Sequence, residues 1–326
     1  TEFRTGGLIN GDAVSSVTLA GTGAAATARV AGSTYAITPS AAVGSGLGNY
    51  ALTYNDGALT VNVKAASVTA NDTSKTYGDT VTFAGTEFST SGLVNGDAVT
   101  SVTLASAGAA ATATVAGSTY AITPSAATGS GLDNYALTYN DGALTVNVKA
   151  ASVTANNTSK MYGATNPVFS VSYTGFVNAE DSNALGGTLG ITTAADTNSP
   201  VGPYPITPDG LTSTNYAITF TNGTLTITPY ALTITANNAS KTYGDTVTFA
   251  GTEFSTSGLV NGDAVTSVTL ASAGAAATAT VAGSTYAITP SAATGSGLDN
   301  YALTYNDGAL TVNVKAASVT ANNTSK

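Results

Sequence analysis

An internal repeat governs what this chain can fold into. The segment Ser-Lys-Thr-Tyr-Gly-Asp-Thr surrounds Lys75 and again Lys241, with the variant Ser-Lys-Met-Tyr-Gly-Ala-Thr around Lys160. From Lys75 to Lys160 the sequence is identical, residue for residue, to that from Lys241 to Lys326. Residues 1–75 align with 86–160 with few changes, such as Arg4 for Ser89 and Arg29 for Thr114. Self-similarity at a fixed period means an array of like units. The units run A, A, B, A, with 85 residues to a full A unit and 81 to the divergent B. The expected domains are residues 1–63, 64–148, 149–229 and 230–314, with 315–326 as the first strand of a further repeat. On this reading the first unit lacks its opening strands and the chain is a window on a longer array. Residues 315–326 are expected to complement the first unit, by strand donation between neighbouring chains or through continuation of the array.

Within a unit the apolar residues alternate. Tyr135, Leu137 and Tyr139 interleave with Ala136 and Thr138, and Leu144, Val146 and Val148 with Thr145 and Asn147. Two period-two runs around Asn140-Asp141-Gly142 predict a β-hairpin. Unit B repeats the pattern in Tyr216, Ile218 and Phe220, then Asn222-Gly223, then Leu225 and Ile227. A second strand pair is predicted at Ala111–Val115 and Tyr120–Pro124, turning at Gly117-Ser118. Further strands are expected at Val81 and Phe83, at Val102 and Leu104, and at Val68, which starts the unit. The best helix candidate is Ala179–Leu185 in unit B, with Asn178 as N-cap. The matching stretch of an A unit, Asn95-Gly96-Asp97-Ala98-Val99, leaves room for a turn of helix at most. About 85 residues can bury a modest core of their own. The junctions carry no Gly/Ser spacer. Val148-Lys149-Ala150-Ala151-Ser152-Val153 and Thr228-Pro229-Tyr230 pass straight from strand to strand, so the joints are expected to be stiff. The expected fold is thus mostly β, a tandem array of small domains forming an elongated rod.

Composition narrows the function classes. Charged residues are 8% of the chain, against about 25% in ordinary soluble domains. Nine basic and eighteen acidic residues give a net charge of −9, with no basic cluster to neutralise phosphates, so nucleic acid is not an expected partner. An anionic membrane surface is disfavoured for the same reason, and no apolar run reaches the ~18 residues of a membrane span. There is no Cys, His or Trp, which removes disulfides, thiolate nucleophiles and the usual zinc sites.

Lys-Thr-Tyr-Gly near the start of a unit, Tyr-Ala-Ile-Thr-Pro in its middle and Asn-Tyr-Ala-Leu-Thr-Tyr-Asn-Asp-Gly-Ala-Leu-Thr-Val near its end resemble the MBG repeat of the Tyr-Gly type. Unit B is similar to it through Pro200–Pro208 and Asn215–Phe220. The resemblance covers essentially the whole chain. It implies a β-grasp-like fold and a place in large secreted bacterial adhesins of filamentous-haemagglutinin-like type, at the cell surface or released from it. It carries no catalytic residues and no cofactor.

Four groups of side chains invite a chemical reading. Asp97, Asp133 and Asp141 lie in predicted turns and could offer oxygens to calcium, although Asn-Gly-Asp and Asn-Asp-Gly form turns without a metal. Lys75, Asn147 and Glu87 have the residue types and order of an intramolecular isopeptide bond. Against that stand Thr228 at the unit B equivalent of Asn147 and the polar, turn-like surroundings of Lys75. Ser and Thr are abundant, but without His or a Gly-x-Ser-x-Gly elbow no nucleophilic triad can be assembled, and an enzyme is not expected. Tyr77, Tyr120, Tyr135 and Tyr139 could stack on glycans, or pack in the core.

The leading functional expectation is a stalk that projects a distal adhesive domain, supporting attachment or biofilm, with the ligand bound outside this stretch. The first alternative is a subunit of a self-assembling extracellular filament joined head to tail by strand complementation. A glycan-binding module is the second. A pure spacer stays monomeric, a filament subunit assembles with concentration, and a binding module is retained on a glycan.

Overall fold

The computed structural model describes residues 2–324, so Thr1 and the Ser325-Lys326 end of the expected last element lie outside the described residues. Repeat 1 contributes β1 (Ala13–Ala20), β2 (Tyr35–Ser45) and β3 (Gly57–Leu59). Repeat 2 contributes β4 (Lys64–Ala70), β5 (Thr73–Thr76), β6 (Phe88–Ser91), β7 (Ala98–Ala105), β8 (Tyr120–Ser130), β9 (Tyr135–Asn140) and β10 (Gly142–Asn147). Repeat 3 follows with β11 (Lys149–Ala155), β12 (Thr158–Met161), β13 (Val171–Thr174), β14 (Gly186–Thr192), β15 (Gly202–Thr212), β16 (Tyr216–Thr221) and β17 (Gly223–Thr228). Repeat 4 holds β18 (Tyr230–Ala236), β19 (Ala239–Thr242), β20 (Phe254–Ser257), β21 (Ala264–Ala271), β22 (Tyr286–Ser296), β23 (Tyr301–Asn306) and β24 (Gly308–Asn313). The chain is mostly β, and among the described residues the only helices are single 3-10 turns.

Each full repeat is a pair of sheets. In repeat 2 a three-stranded sheet has the order β6-β4-β9 and a four-stranded sheet the order β5-β10-β8-β7; repeats 3 and 4 have the same plan. Inward residues alternate along the strands as the two-residue period demands. On β4, Ala66, Val68 and Ala70 are buried, and on β10, Leu144 and Val146. Repeat 4 shows how the sheets share one core, with Ala236 of β18 packed with Ile288 of β22 and Leu310 of β24.

The expected hairpin does not form. β9 and β10 are consecutive strands, yet β9 pairs parallel with β4 while β10 pairs parallel with β5 and antiparallel with β8. The chain therefore crosses between sheets at Asn140-Asp141-Gly142. A Cβ on Gly142 would stand 2.5 Å from the Ala70 carbonyl oxygen, so that glycine lets two backbones approach. β16 and β17 of repeat 3 are divided between sheets in the same way.

Three other expectations are corrected. Residues 111–114 form no strand; Val115–Gly117 is a 3-10 turn whose cap, Thr114, accepts a hydrogen bond from the Gly117 amide. Tyr120 folds back over it, its hydroxyl donating to the Thr114 carbonyl at 3.0 Å. Val81 and Phe83 lie in irregular chain, held by the Val81 amide on the Ala109 carbonyl at 2.9 Å rather than by a ladder. The helix at Ala179–Leu185 is replaced by one 3-10 turn, Ser182–Ala184, capped by Asp181 instead of Asn178. Asn178 and Ala179 have φ of 56° and 58°, left-handed values that stop a right-handed helix before it starts. The helix of a β-grasp is thus absent among the described residues.

By its contacts the chain divides into two compact units. One holds residues 2–150 together with 177–180 and 213–217 of repeat 3. The other holds 151–176, 181–212 and the rest from 218 onward. The repeat 1–2 and 2–3 junctions fall inside the first unit, and the repeat 3–4 junction inside the second.

Lys75, Lys160 and Lys241 are buried despite their charge. Lys75 lies in β5, not in a turn, and its Nζ donates to the carbonyls of Asp79, at 2.9 Å, and of Ala110. Lys160 and Lys241 are held in the same way, on Ala164 and Asp196 and on Asp245 and Ala276. Burial holds the Lys75 ammonium below the usual lysine range. Trypsin acting on the folded chain is accordingly expected to cut after exposed Lys315 and to spare Lys75, Lys160 and Lys241, as peptide mass mapping will show.

Candidate functional site

The most organised polar cluster lies where one repeat meets the next. Its base is the turn Val94-Asn95-Gly96-Asp97, closed by the Asp97 amide on the Val94 carbonyl at 3.0 Å. Asn95 and Gly96 sit at φ of 59° and 80°, the pair of positive values that a type I′ turn requires. Tyr135 braces it: its hydroxyl accepts from the Val94 amide at 2.9 Å and donates to Asp97 Oδ2 at 2.9 Å. The same frame recurs as Val177-Asn178-Ala179-Glu180 with Tyr216, and as Val260-Asn261-Gly262-Asp263 with Tyr301.

Each frame receives the preceding repeat through two recurring hydrogen bonds. The turn asparagine donates from Nδ2 to a carbonyl of the previous repeat: Asn95 to Ala26 at 3.0 Å, Asn178 to Ala111 at 3.2 Å, Asn261 to Thr197 at 2.9 Å. A second asparagine accepts on Oδ1 from a valine amide: Asn134 from Val30 at 2.9 Å, Asn215 from Val115 at 3.0 Å, Asn300 from Val201 at 2.9 Å.

A tyrosine of the previous repeat completes two of these joints. At the repeat 2–3 boundary Tyr77 donates to Glu180 Oε1 at 2.6 Å while Tyr216 donates to Oε2 at 2.5 Å. The two rings meet edge to face, centroids 5.5 Å apart at 86°, the geometry that aromatic quadrupoles favour. At the repeat 3–4 boundary Tyr162 and Tyr301 share Asp263 Oδ2 at 3.0 and 2.9 Å, with rings 5.5 Å apart at 80°. The glycine after each knob tyrosine admits its neighbour. A Cβ on Gly78 would stand 2.5 Å from Val177 Cγ2, and one on Gly163 2.7 Å from Val260 Cγ2.

Burial pushes the Tyr216 hydroxyl up to about 12, with the bond to Glu180 adding to it. Burial likewise pushes Tyr301 up to about 12, reinforced by Asp263. Tyr77 is raised first by its bond to Glu180 and then by burial. An unfolded tyrosine ionises near 10. Between about 10 and about 12 the unfolded chain therefore holds fewer protons than the folded one, and stability falls as pH rises through that window. It is fully present below about 10. A phenolate absorbance titration is expected to show these groups ionising late, in step with a loss of melting temperature.

The residues singled out in the sequence are dispersed. Asp97 belongs to the joint, Asp133 sits exposed in the 3-10 turn Leu132–Asn134, and Asp141 is exposed between β9 and β10. Among the described residues no group of three or more acidic side chains is placed to hold a metal ion. Excess EDTA is expected to leave the melting temperature unchanged. The isopeptide trio is not assembled. Lys75 pairs with Val146 and Thr76 with Asn147 in the parallel ladder, so Lys75 points into the core while Asn147 points outward. The Glu87 carboxylate accepts from the amides of Ala84, Gly85 and Thr86, which hold it below the usual carboxylate range. The four tyrosines that could stack on glycans are not gathered on one exposed face. Tyr77 and Tyr135 are buried, Tyr120 lies on its own 3-10 turn, and the Tyr139 hydroxyl is engaged by the Ala127 amide at 3.0 Å.

Sequence reasoning missed the joint. Its signal was present in the two asparagines, the acid and the tyrosine that unit B keeps while most of its surroundings diverge.

No curated protein matches the chain. The solved structure of Drosophila N-cadherin EC1-4 overlays 86% of this chain and 82% of that one at 9% identity, with a TM-score of 0.26. That likeness is too slight to carry an argument. The family model of the MBG domain (YGX type) matches four times, over residues 1–60, 66–145, 151–226 and 232–311. The chain belongs to the MBG domain family of the YGX type, as four tandem copies.

Proposed function

We propose that these repeats are a non-catalytic spacer in an extracellular bacterial adhesin, holding a binding domain at a distance from the cell. One observation carries the reading: the same pair of asparagine hydrogen bonds recurs at all three repeat boundaries, across A–A, A–B and B–A junctions. A chain selected for independent binding modules needs only flexible links. A joint rebuilt each time from side chains on both repeats serves reach. No helix among the described residues is long and apolar enough to cross a membrane, so attachment to a cell would be made elsewhere.

The test is to anchor the chain on a cell surface with a fluorescent tag at its far end, and to vary the number of repeats. The tag's mean height is expected to grow by a constant increment per repeat. A height that does not change with copy number sinks the reading.

A further inference from the structure

Each complete repeat ties its first strands to its last through a parallel ladder. In repeat 2, β4 pairs with β9 from Lys64↔Tyr135 to Thr69↔Asn140, and β5 pairs with β10 from Thr73↔Leu144 to Thr76↔Asn147. Throughout, each partner lies 71 residues further along the chain. Residues 64–76 therefore run beside residues 135–147 as one ribbon that passes from the three-stranded sheet into the four-stranded one in constant register. Repeat 4 has the same ladder, from Tyr230↔Tyr301 to Thr242↔Asn313. In repeat 3 its later part runs from Thr158↔Leu225 to Met161↔Thr228.

Where the ribbon changes sheets, a side chain spans the interruption. Asp72 Oδ1 accepts from the Ala143 amide at 2.7 Å, and its counterparts Asn157 and Asn238 accept from Thr224 and Ala309 at 2.8 Å. The glycine at the crossing keeps the two halves close. A Cβ on Gly142, Gly223 or Gly308 would stand 2.5 Å from the carbonyl oxygen of Ala70, Ala155 or Ala236. Beyond the last pair the Tyr77 amide donates to the Asn147 carbonyl at 2.9 Å, as Tyr162 does to Thr228 and Tyr243 to Asn313.

The chain enters repeat 2 at one end of this ladder, Lys64, and leaves it at the other, Asn147. Tension along the chain draws those ends apart, so it slides one half of the ribbon along the other. Ladder bonds are weak singly. Peeling breaks them in turn, whereas sliding loads their evenly spaced rungs together. We propose that the ladder is a load-bearing element, through which each repeat transmits tension by holding its entry and exit strands in shear. Lys75 reinforces it, because its Nζ on the Asp79 and Ala110 carbonyls ties β5 to the rest of the domain. Each ladder is complete within its own repeat. Spacing a domain from a cell requires no resistance to force, and a force-resistant repeat need not be a spacer.

The test is single-molecule force spectroscopy of the full chain. The sequence has no Cys, so pairs of introduced cysteines define where force is applied. Val63→Cys with Val148→Cys loads the repeat 2 ladder in shear. Thr80→Cys with Val148→Cys pulls on one end of the ladder and peels it. All three residues are exposed. At equal loading rate the shear pair is expected to unfold repeat 2 at several times the force of the peeling pair, since forced unfolding follows the unfolding rate along the pull. Asp72→Ala, at an exposed position, is expected to lower the shear force and leave the peeling force unchanged, because peeling starts at the Asn147 end. Equal forces in the two geometries, or a lower force in shear, overturn the load-bearing role. An Asp72→Ala shear force equal to that of wild type overturns the bridge at the crossing.

Discussion

Truncating Ile122 to alanine is expected to lower the stability of repeat 2 by about 2–5 kcal/mol. Ile122 is 0% exposed. It sits on β8 directly opposite Gly142 of β10, whose missing side chain cannot move in to fill a hole. The backbone on both sides is pinned by its ladders, so the cavity stays open and its cost adds to the lost transfer energy. Repeat 4 offers an internal control, since Ile288 occupies the same position in a domain identical from the equivalent of Lys75 onward, though its first strand differs, and is also 0% exposed. Chemical denaturation, with hydrogen exchange to assign the loss to one repeat, measures both. A loss below about 1 kcal/mol at either site would mean that the core is not where the structure puts it.

Replacing Glu180 with alanine is expected to cost about 2–4 kcal/mol at the repeat 2–3 joint, because two buried hydroxyls lose their acceptor together. Tyr77 and Tyr216 are each 3% exposed, so water cannot readily replace the carboxylate. The loss should be local. Exchange of the Val115 amide, which spans the joint to Asn215, should accelerate, while core amides of β8 and β10 keep their protection. Adding Tyr77→Phe to Glu180→Ala removes one orphaned hydroxyl and should restore part of the loss. If the double variant is worse than the single one by the full cost of Tyr77→Phe alone, the tyrosine–carboxylate coupling is absent.

Much of each repeat was legible in its residues. The period marked the units, and alternation placed β4, β7, β8, β9 and β10 close to where they lie, because a two-residue period is a property of one strand and needs no partner. Pairing was not legible. Asn140-Asp141-Gly142 has the composition of a hairpin turn, and nothing local distinguishes a turn within a sheet from a crossing between two. That choice depends on β4 and β5, about 70 residues earlier along the chain. Asn178 read as an N-cap for a similar reason. Asparagine suits both a cap and a left-handed turn, and the Tyr216 hydroxyl on the Val177 amide favours the turn. Lys75 read as a turn residue because its neighbours are polar and turn-forming, and a charge seldom goes inside. Only the fold shows the two carbonyls that receive it.

The sequence by itself determined that this chain is an array: four units of one family, mostly β, without the side chains of ordinary thiol, zinc or histidine chemistry. Tertiary structure alone decided what its polar residues are for. Asn95, Asp97, Asn134 and Tyr135 are unremarkable turn and strand residues in a list, 40 positions apart at most. The physical reason is that a joint is built from both sides of a boundary. Glu180 matters because Tyr77, 103 residues before it, reaches the same carboxylate as Tyr216, and only the folded arrangement of two repeats brings those three side chains together.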